Sequence, residues 1–381
     1  MNDGKKKLTT WEAACIITGY GLGAGVLSMP YLAEKNGILT AGLILVVSLI
    51  ASYVLHMMIA EIAVKNGSGG QIISCLERFL WRGKAAKFLS AVFFVLMAAI
   101  LVTNLAAYIT GSADVLEDLL GIPPLAAEIV FYVIAAAIVL FGLKAVGISE
   151  SITVLVIFGL VAVLAATSLL NIRNPLRMEA GTFNQALAYF GMAMFAMSAF
   201  FSVPQAAEGL KGDMKKIRKA VFIGILNNFI LIAVVTVCAL LSSVEITEVA
   251  MVGWSKGIGT WAHIIGSIFT ILAMLTTYWS LSLALGGIVE DALKLDHRLS
   301  WVIATLPSMI LACLNLTDFM DLMRTAGGLI AIVVAIMVVP AYRNARKEVE
   351  GSAFKRIGGT VTQILVFLAY ILMAVGSVVP V

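Results

Sequence analysis

The chain has 381 residues, of which 61% are hydrophobic and 13% charged, and its mean hydropathy is +1.02. Soluble domains carry about 25% charged residues, so the composition excludes a sizeable soluble domain. Net charge is +4, and where those charges lie matters more than their sum.

Apolar runs of about 20 residues recur from end to end, each long enough to cross roughly 30 Å of hydrocarbon. They are continuous and lack the alternation of a barrel strand. The expected fold class is an all-α polytopic membrane protein, one transporter-like domain over residues 1–381. Eleven spans are expected: 10–33, 38–64, 86–111, 124–143, 148–170, 183–210, 217–243, 261–290, 298–314, 319–341 and 359–380. The first is read as a retained span and not a signal peptide, because no small-residue cleavage pattern ends it. Residues 68–82 suit a short amphipathic helix at the membrane interface. Residues 244–260, with Glu245, Glu248, Trp254 and Lys256, are too polar to cross and suit a lid.

Within the first span, GYGLGAGVLSMP (Gly19 to Pro30) has glycine at every second position: Gly19, Gly21, Gly23 and Gly25. Each costs a helix interior about 1 kcal/mol relative to alanine, so four predict a break. Broken backbone at membrane depth survives only where protein buries it or it lines a wet cavity. Small-residue spacing also allows close helix packing. In span six, Pro204 follows Ala199 as Pro30 follows Gly25. Both pairs are separated by the same interval, the length of five spans with their loops. Repeats of about 10–170 and 183–341 follow, inverted because each has five spans, with 359–380 appended. Paired interrupted helices point to a midplane binding site. Span six has no glycine at its break; Ala196, Ser198 and Ala199 would have to permit unwinding.

Basic residues set the orientation. With the N-terminus and Lys5–Lys7 in the cytoplasm, the Lys211–Lys219 cluster and most other Lys and Arg also fall inside. The C-terminus is then outside. Short loops suit a prokaryotic inner membrane.

GAGVLSMPYLAEKNGI (Gly23 to Ile38) resembles the first-helix signature of the amino acid/auxin permease family, G-[ST]-G-[IL]-L-x-[LM]-[PS]-Y-x-x-x-x-x-G-I. FAMSAFFSVPQAAEGLKGDMKKIRKA (Phe195 to Ala220) resembles the pattern of the wider amino acid–polyamine–organocation superfamily. It departs at Ala199 for Gly, Phe201 for Glu and Asp213 for Pro. LTTYWSLSLALGGIVEDALKL (Leu275 to Leu295) is similar to the eighth helix of sodium-coupled leucine-transporter-like proteins. The resemblance implies the inverted five-plus-five fold with discontinuous helices one and six, and amino-acid transport by alternating access.

The residues suit that activity. A zwitterion cannot enter a dry site with its charges unpaired. Half-helix N-termini offer free N–H groups to a carboxylate, a role assigned to the amides of Gly23, Ala24 and Gly25. Carbonyls at Phe195, Ala196 and Ser198 suit the ammonium. The resemblance would place sodium between the carbonyls of Gly19, Leu22 and Ala273 and the hydroxyls of Thr276 and Thr277. Threonine hydroxyls also bond routinely to their own i−4 carbonyl. Proton coupling would need an intramembrane titratable group, with His56, Glu61 and Glu208 as candidates. Span five holds no ionisable residue between Ile152 and Leu170, which argues against a relay there. Glu290 and Asp291 are expected to pair with lysines.

Around the site lie Asn104, Tyr108, Phe195, Ser198, Phe201, Tyr278 and Thr325, with Arg324 the one charge and Asp321 its expected partner. The expected substrate is therefore a neutral, apolar or aromatic amino acid. The expected partners are that amino acid, sodium or a proton, and the lipid bilayer; no nucleic acid, obligate protein partner or other cofactor is expected. A proton symporter, an exchanger and a nutrient-sensing receptor are the alternatives. No enzyme motif is present: three His (His56, His263, His297), no HExxH and no GxSxG. Cys15, Cys75, Cys238 and Cys313 are scattered packing residues.

Overall fold

A computed structural model describes residues 7–67, 71–81, 85–246, 250–314, 328–348 and 358–379. The described residues form helices joined by loops. Its elements are α1 (Thr10–Leu22), α2 (Ala24–Asn36), α3 (Ile38–Lys65), α4 (Ile72–Leu80), α5 (Ala86–Leu120), α6 (Pro124–Leu140), α7 (Leu143–Leu170), α8 (Phe183–Ala196) and α9 (Ser202–Gly209). They continue as α10 (Met214–Ser242), α11 (Ala250–Ile258), α12 (Thr260–Leu293) and α13 (His297–Cys313). The last are α14 (Gly328–Glu348), with a π-helical turn at Val334–Val338, and α15 (Thr360–Val378).

Every expected span overlaps a helix or a broken pair of helices. Among the described residues seven helices are long and apolar enough to cross a membrane, and α1 with α2 makes an eighth as a bent span. The pair turns by 54° at Gly23. The α8–α9 pair is interrupted from Met197 to Phe201. Both broken spans open with the same device. Thr9 Oγ1 accepts the Glu12 N–H at 3.2 Å while Glu12 returns a carboxylate to Thr9 N–H at 2.7 Å. Thr182 and Gln185 repeat the exchange at the start of α8. Such reciprocal caps satisfy two N–H groups that the first turn leaves orphaned.

Burial separates centre from rim. In α12, 83% of the most apolar window is buried, against 28% in α3 and in α15. The rim helices turn Leu43, Val47, Ile50, Leu155 and Leu365 outward, as lipid-facing helices do. At the centre, α1 packs against α7, α10 and α12, and α2 packs against α8 and α10. The segment 244–260 carries α11, which packs on α2, α10 and α12. Its buried Trp254 donates from Nε1 to Ser168 Oγ at 2.6 Å, pinning the segment to the end of α7. Glu248 lies outside the described residues, as do Asp321, Arg324 and Thr325.

Span five needs correction. Its helix begins at Leu143, after Gly142 in the left-handed region (φ +83°), where only glycine is comfortable. The helix therefore gains Lys144, which the expected bounds 148–170 leave out; Glu150 falls inside those bounds but before Ile152, where the ionisable-free stretch begins. Lys144 reaches α1 and pairs with Glu12 at 2.5 Å. Glu150 is fully buried.

Candidate functional site

The two breaks face each other. A Cβ on Gly25 would sit 2.4 Å from Ala196 Cβ, and one on Gly21 would sit 2.4 Å from the Ala196 carbonyl oxygen. A Cβ on Gly23 would meet the Tyr108 hydroxyl at 2.5 Å, and one on Gly19 would meet Glu150 Oε2 at 2.1 Å. All four alternating glycines are thus sites of close approach: Gly21 and Gly25 to Ala196, Gly23 to Tyr108 and Gly19 to Glu150. The α2 N-terminus, capped by Gly23, has no side-chain cap, so its first-turn amides keep the polarity that suits an anion.

The second break has no glycine, and His56 of α3 holds it instead. His56 Nδ1 lies 2.5 Å from the Ser52 carbonyl, and Nε2 accepts the Ala199 N–H at 2.7 Å. Those two bonds fit the neutral ring with its proton on Nδ1. His56 therefore serves the break, with both nitrogens engaged. Turn bonds finish the segment: Ser198 N–H to Phe195 O at 2.9 Å and Ser202 N–H to Ala199 O at 3.0 Å.

Between the breaks is a small cavity of about 10 Å³ lined by Tyr20, Gly21, Gly25, Asn104, Tyr108, Phe195, Thr277 and Leu281. That volume is about one water. It brings together Gly25, Asn104, Tyr108, Phe195 and Thr277 from the expected set, and adds Tyr20, Gly21 and Leu281. Ala196 forms its edge through Gly25. Ser198 is buried with an unpartnered hydroxyl but does not line it. Phe201 lies outside it too, stacked edge-on against Phe200 at 4.8 Å and tilted to Tyr20 at 6.3 Å. Tyr278 points elsewhere, edge-on to Phe131 of α6 at 5.8 Å. Asn228 of α10 lies against Gly21, with both amide atoms buried and unpartnered. Its one sequence signal was the Asn227–Asn228 pair in an apolar run.

Of the hydroxyls expected to hold sodium, only Thr277 crosses to α1. Its Oγ1 lies 2.7 Å from the Gly19 carbonyl and 3.2 Å from that of Ala273. Thr276 bonds only Ala273 O, at 2.9 Å. One turn on, Ser280 Oγ shares its proton between Glu150 Oε1 at 2.9 Å and Ile16 O at 3.2 Å. Glu150 lies two residues before the stretch Ile152–Leu170 that is free of ionisable groups, within the expected span 148–170, and nothing in the sequence marks it as buried.

The other titratable candidates sit in local networks. Glu61 meets Lys65 at 3.3 Å and accepts from Tyr342 at 3.1 Å. Asp291 accepts the Gln71 N–H at 3.0 Å, and Glu290 meets His297 at 3.7 Å; these partners replace the expected lysines. At the C-terminal end of α12, opposite α11, a vestibule of about 840 Å³ opens among α6, α7, α9, α12 and α13. Gln205, Glu208, Ser282 and Trp301 are in its wall.

Comparison with known proteins follows the same lines. The tryptophan/tyrosine permease family matches residues 6–377. Glutamine transporter 2 of Aliivibrio fischeri is 22% identical over 358 residues, covering 89% of this chain and 90% of the relative. Tyrosine-specific transport system 1 of Haemophilus influenzae is 23% identical over 399 residues, covering 96% and 95%. In structure, the chain is similar to Mhp1, a nucleobase-cation-symport-1 family transporter in a closed conformation with bromovinylhydantoin bound. There the TM-score is 0.67 at 10% identity, over 98% of this chain and 91% of the other. It is equally similar to MhsT in complex with L-phenylalanine, with a TM-score of 0.68 at 13% identity over 97% and 99%. These neighbours share the leucine-transporter-like fold. The chain belongs to the tryptophan/tyrosine permease family: it is a multi-pass membrane amino acid transporter and not an enzyme.

Proposed function

We propose that the protein is a secondary active transporter of a neutral amino acid, apolar or aromatic, working by alternating access between two inverted five-helix repeats. The observation that carries this reading is the meeting of the two breaks around one small cavity. The substrate carboxylate would take the amides of Gly23, Ala24 and Gly25, and its ammonium the carbonyls of Phe195, Ala196 and Ser198. Tyr20, Asn104, Tyr108 and Phe195 offer its side chain aromatic faces and one amide, with no charge. That lining suits the substrates named for the relatives, tyrosine and glutamine, and the phenylalanine held by MhsT. A cavity of about 10 Å³ cannot hold an amino acid, so loading requires the halves to part.

Eleven crossings, with α6, α13 and the α8–α9 pair counted as spans, put the N-terminus in the cytoplasm of an inner membrane and the C-terminus outside. The vestibule then faces the cytoplasm and α11 closes the outer mouth. The first-helix likeness to the amino acid/auxin permease family fits a wider kinship within the same superfamily. Coupling to one cation contributes about 2.3 kcal/mol per 100 mV, and a tenfold gradient about 1.4 more. The Gly19, Leu22 and Ala273 carbonyls with Thr276 and Thr277 remain the sodium reading.

The test is uptake into proteoliposomes of labelled L-tyrosine, L-tryptophan, L-phenylalanine, L-glutamine, L-glutamate and L-lysine, with and without unlabelled amino acid inside. Uptake of one or more of the four neutral amino acids, with glutamate and lysine excluded, is expected. Transport of glutamate or lysine alone would overturn the substrate class, and strict dependence on preloading would make the protein an exchanger.

A further inference from the structure

Glu150 is a fully buried carboxylate with one oxygen accounted for. Oε1 accepts from Ser280; Oε2 is buried with no hydrogen-bond partner. It lies against the backbone of Gly19, where any Cβ would collide with it. The nearest cation on its own helix, Lys144, is held by Glu12 at the end of α1. Cys15 on α1 is the neighbouring titratable group there, and α12 presents only the hydroxyls of Thr277 and Ser280. The charged residues of the elements packed on α7 lie in the end turns of their helices: Glu128 of α6, Glu208 of α9, and Lys215, Lys216, Arg218 and Lys219 of α10. Among the described residues no Lys, Arg or His is bonded to Glu150. A bare carboxylate in such a place is prohibitive, so a positive charge belongs beside it.

The surroundings connect that charge to both the substrate cavity and water. Gly19 O accepts from Thr277, whose side chain lines the cavity between the breaks. Ser280 bonds Glu150 through its hydroxyl, and its carbonyl accepts from Gln205 Nε2 at 3.4 Å. Gln205 is in the wall of the large vestibule. One residue, Ser280, therefore stands between the carboxylate and the open face.

We propose that Glu150 is the seat of the coupling charge. A single positive charge, brought as a proton or as Na⁺, binds at its free oxygen when substrate binds and leaves past Ser280 and Gln205 to the vestibule. No covalent bond of the substrate changes. A proton taken from water on one side is returned to water on the other, or Na⁺ exchanges its hydration for Glu150 and the neighbouring carbonyl and hydroxyl oxygens. This rests on the transport reading above.

The experiment compares wild type, Glu150→Gln and Ser280→Ala in proteoliposomes, using labelled L-tyrosine, L-phenylalanine, L-tryptophan and L-glutamine. Counterflow without any ion gradient is measured first, then accumulation under an imposed proton gradient and under an imposed sodium gradient. Wild-type counterflow is expected with at least one of them; its absence for all four overturns the transport reading, and this proposal with it. Glu150→Gln is expected to lose accumulation by about fiftyfold at 100 mV, the effect of one charge, while counterflow falls far less. Which gradient drives the wild type identifies the charge as a proton or as Na⁺. Accumulation by Glu150→Gln equal to wild type under the driving gradient overturns the proposal. Should that variant lack counterflow, Ser280→Ala decides: a severalfold loss of accumulation with counterflow retained supports the proposal, and unchanged accumulation overturns it.

Discussion

The break between α1 and α2 and the break between α8 and α9 meet at one cavity, yet they are built from different chemistry. The first is a matter of absent atoms. Gly21 and Gly25 let α1 and α2 come down onto Ala196, Gly23 admits Tyr108, and Gly19 admits Glu150. The second is a matter of supplied atoms, since a histidine from α3 takes the Ala199 N–H that unwinding exposes. A backbone opened inside a membrane needs either close burial or a substitute partner, and this protein uses one at each break. The glycine solution depends on shape and has no slack; the histidine solution depends on two hydrogen bonds.

The strongest way to break that contrast is Gly25→Ala. The added methyl would lie 2.4 Å from Ala196 Cβ and 2.6 Å from its Cα, so backbone must shift. Overpacking of this kind costs about 1–3 kcal/mol or more, and it falls at the cavity between the two breaks. Transport in proteoliposomes is expected to be abolished. The matched control is Gly159→Ala on the outer face of α7, with nothing within 4 Å; there alanine's helix propensity, favoured by about 1 kcal/mol, makes the variant neutral or slightly more stable. Equal activity of both variants would remove the packing argument.

His56→Ala tests the other side. It orphans the Ala199 N–H and the Ser52 carbonyl contact in one step, and a buried unsatisfied group costs about 1–3 kcal/mol. A fall of several degrees in the detergent-solubilised unfolding midpoint is expected, with transport reduced because Phe195 to Ser198 would no longer be fixed. An unchanged midpoint would show that the turn bonds hold the second break without the ring.

Much of this architecture is legible in the sequence, because windows of apolar residues of spanning length carry their own signal. The Gly19–Gly25 alternation likewise announces a break by propensity alone. The second break is legible only through Pro204 and its spacing from Pro30, for His56 acts across 143 residues of chain. Glu150 is harder still. LKAVGISES, from Leu143 to Ser151, is a mixed segment in which Lys144 and Glu150 contact α1 and α12, so hydropathy trims its first five residues from the helix and leaves Glu150 at the expected start with no visible partner. The cavity itself brings Asn104 and Tyr108 together with Phe195. It excludes Phe201 and Tyr278, whose ring contacts are with Tyr20, Phe200 and Phe131, because side-chain direction within a helix cannot be assigned before its neighbours are known.

The smallest expected effect is the most discriminating one for the first break. Thr276 and Thr277 are adjacent hydroxyls, and the sequence gives no reason to rank them. Thr277 bonds the Gly19 carbonyl on α1 at 2.7 Å, while Thr276 bonds only within its own helix at 2.9 Å. Valine replaces threonine at nearly constant volume, so each substitution removes one hydroxyl. A cross-helix hydrogen bond is worth about 1 kcal/mol net, roughly a fivefold change in an equilibrium. Thr277→Val is therefore expected to weaken apparent substrate affinity about fivefold, since it loosens α1 beside Gly21 and Gly25. Thr276→Val removes only a bond to its own turn and should change it little. Equal losses for the two would mean that both hydroxyls serve a common ligand, as a sodium ion held by both would require, and that Thr277 is more than a brace between α12 and the broken span.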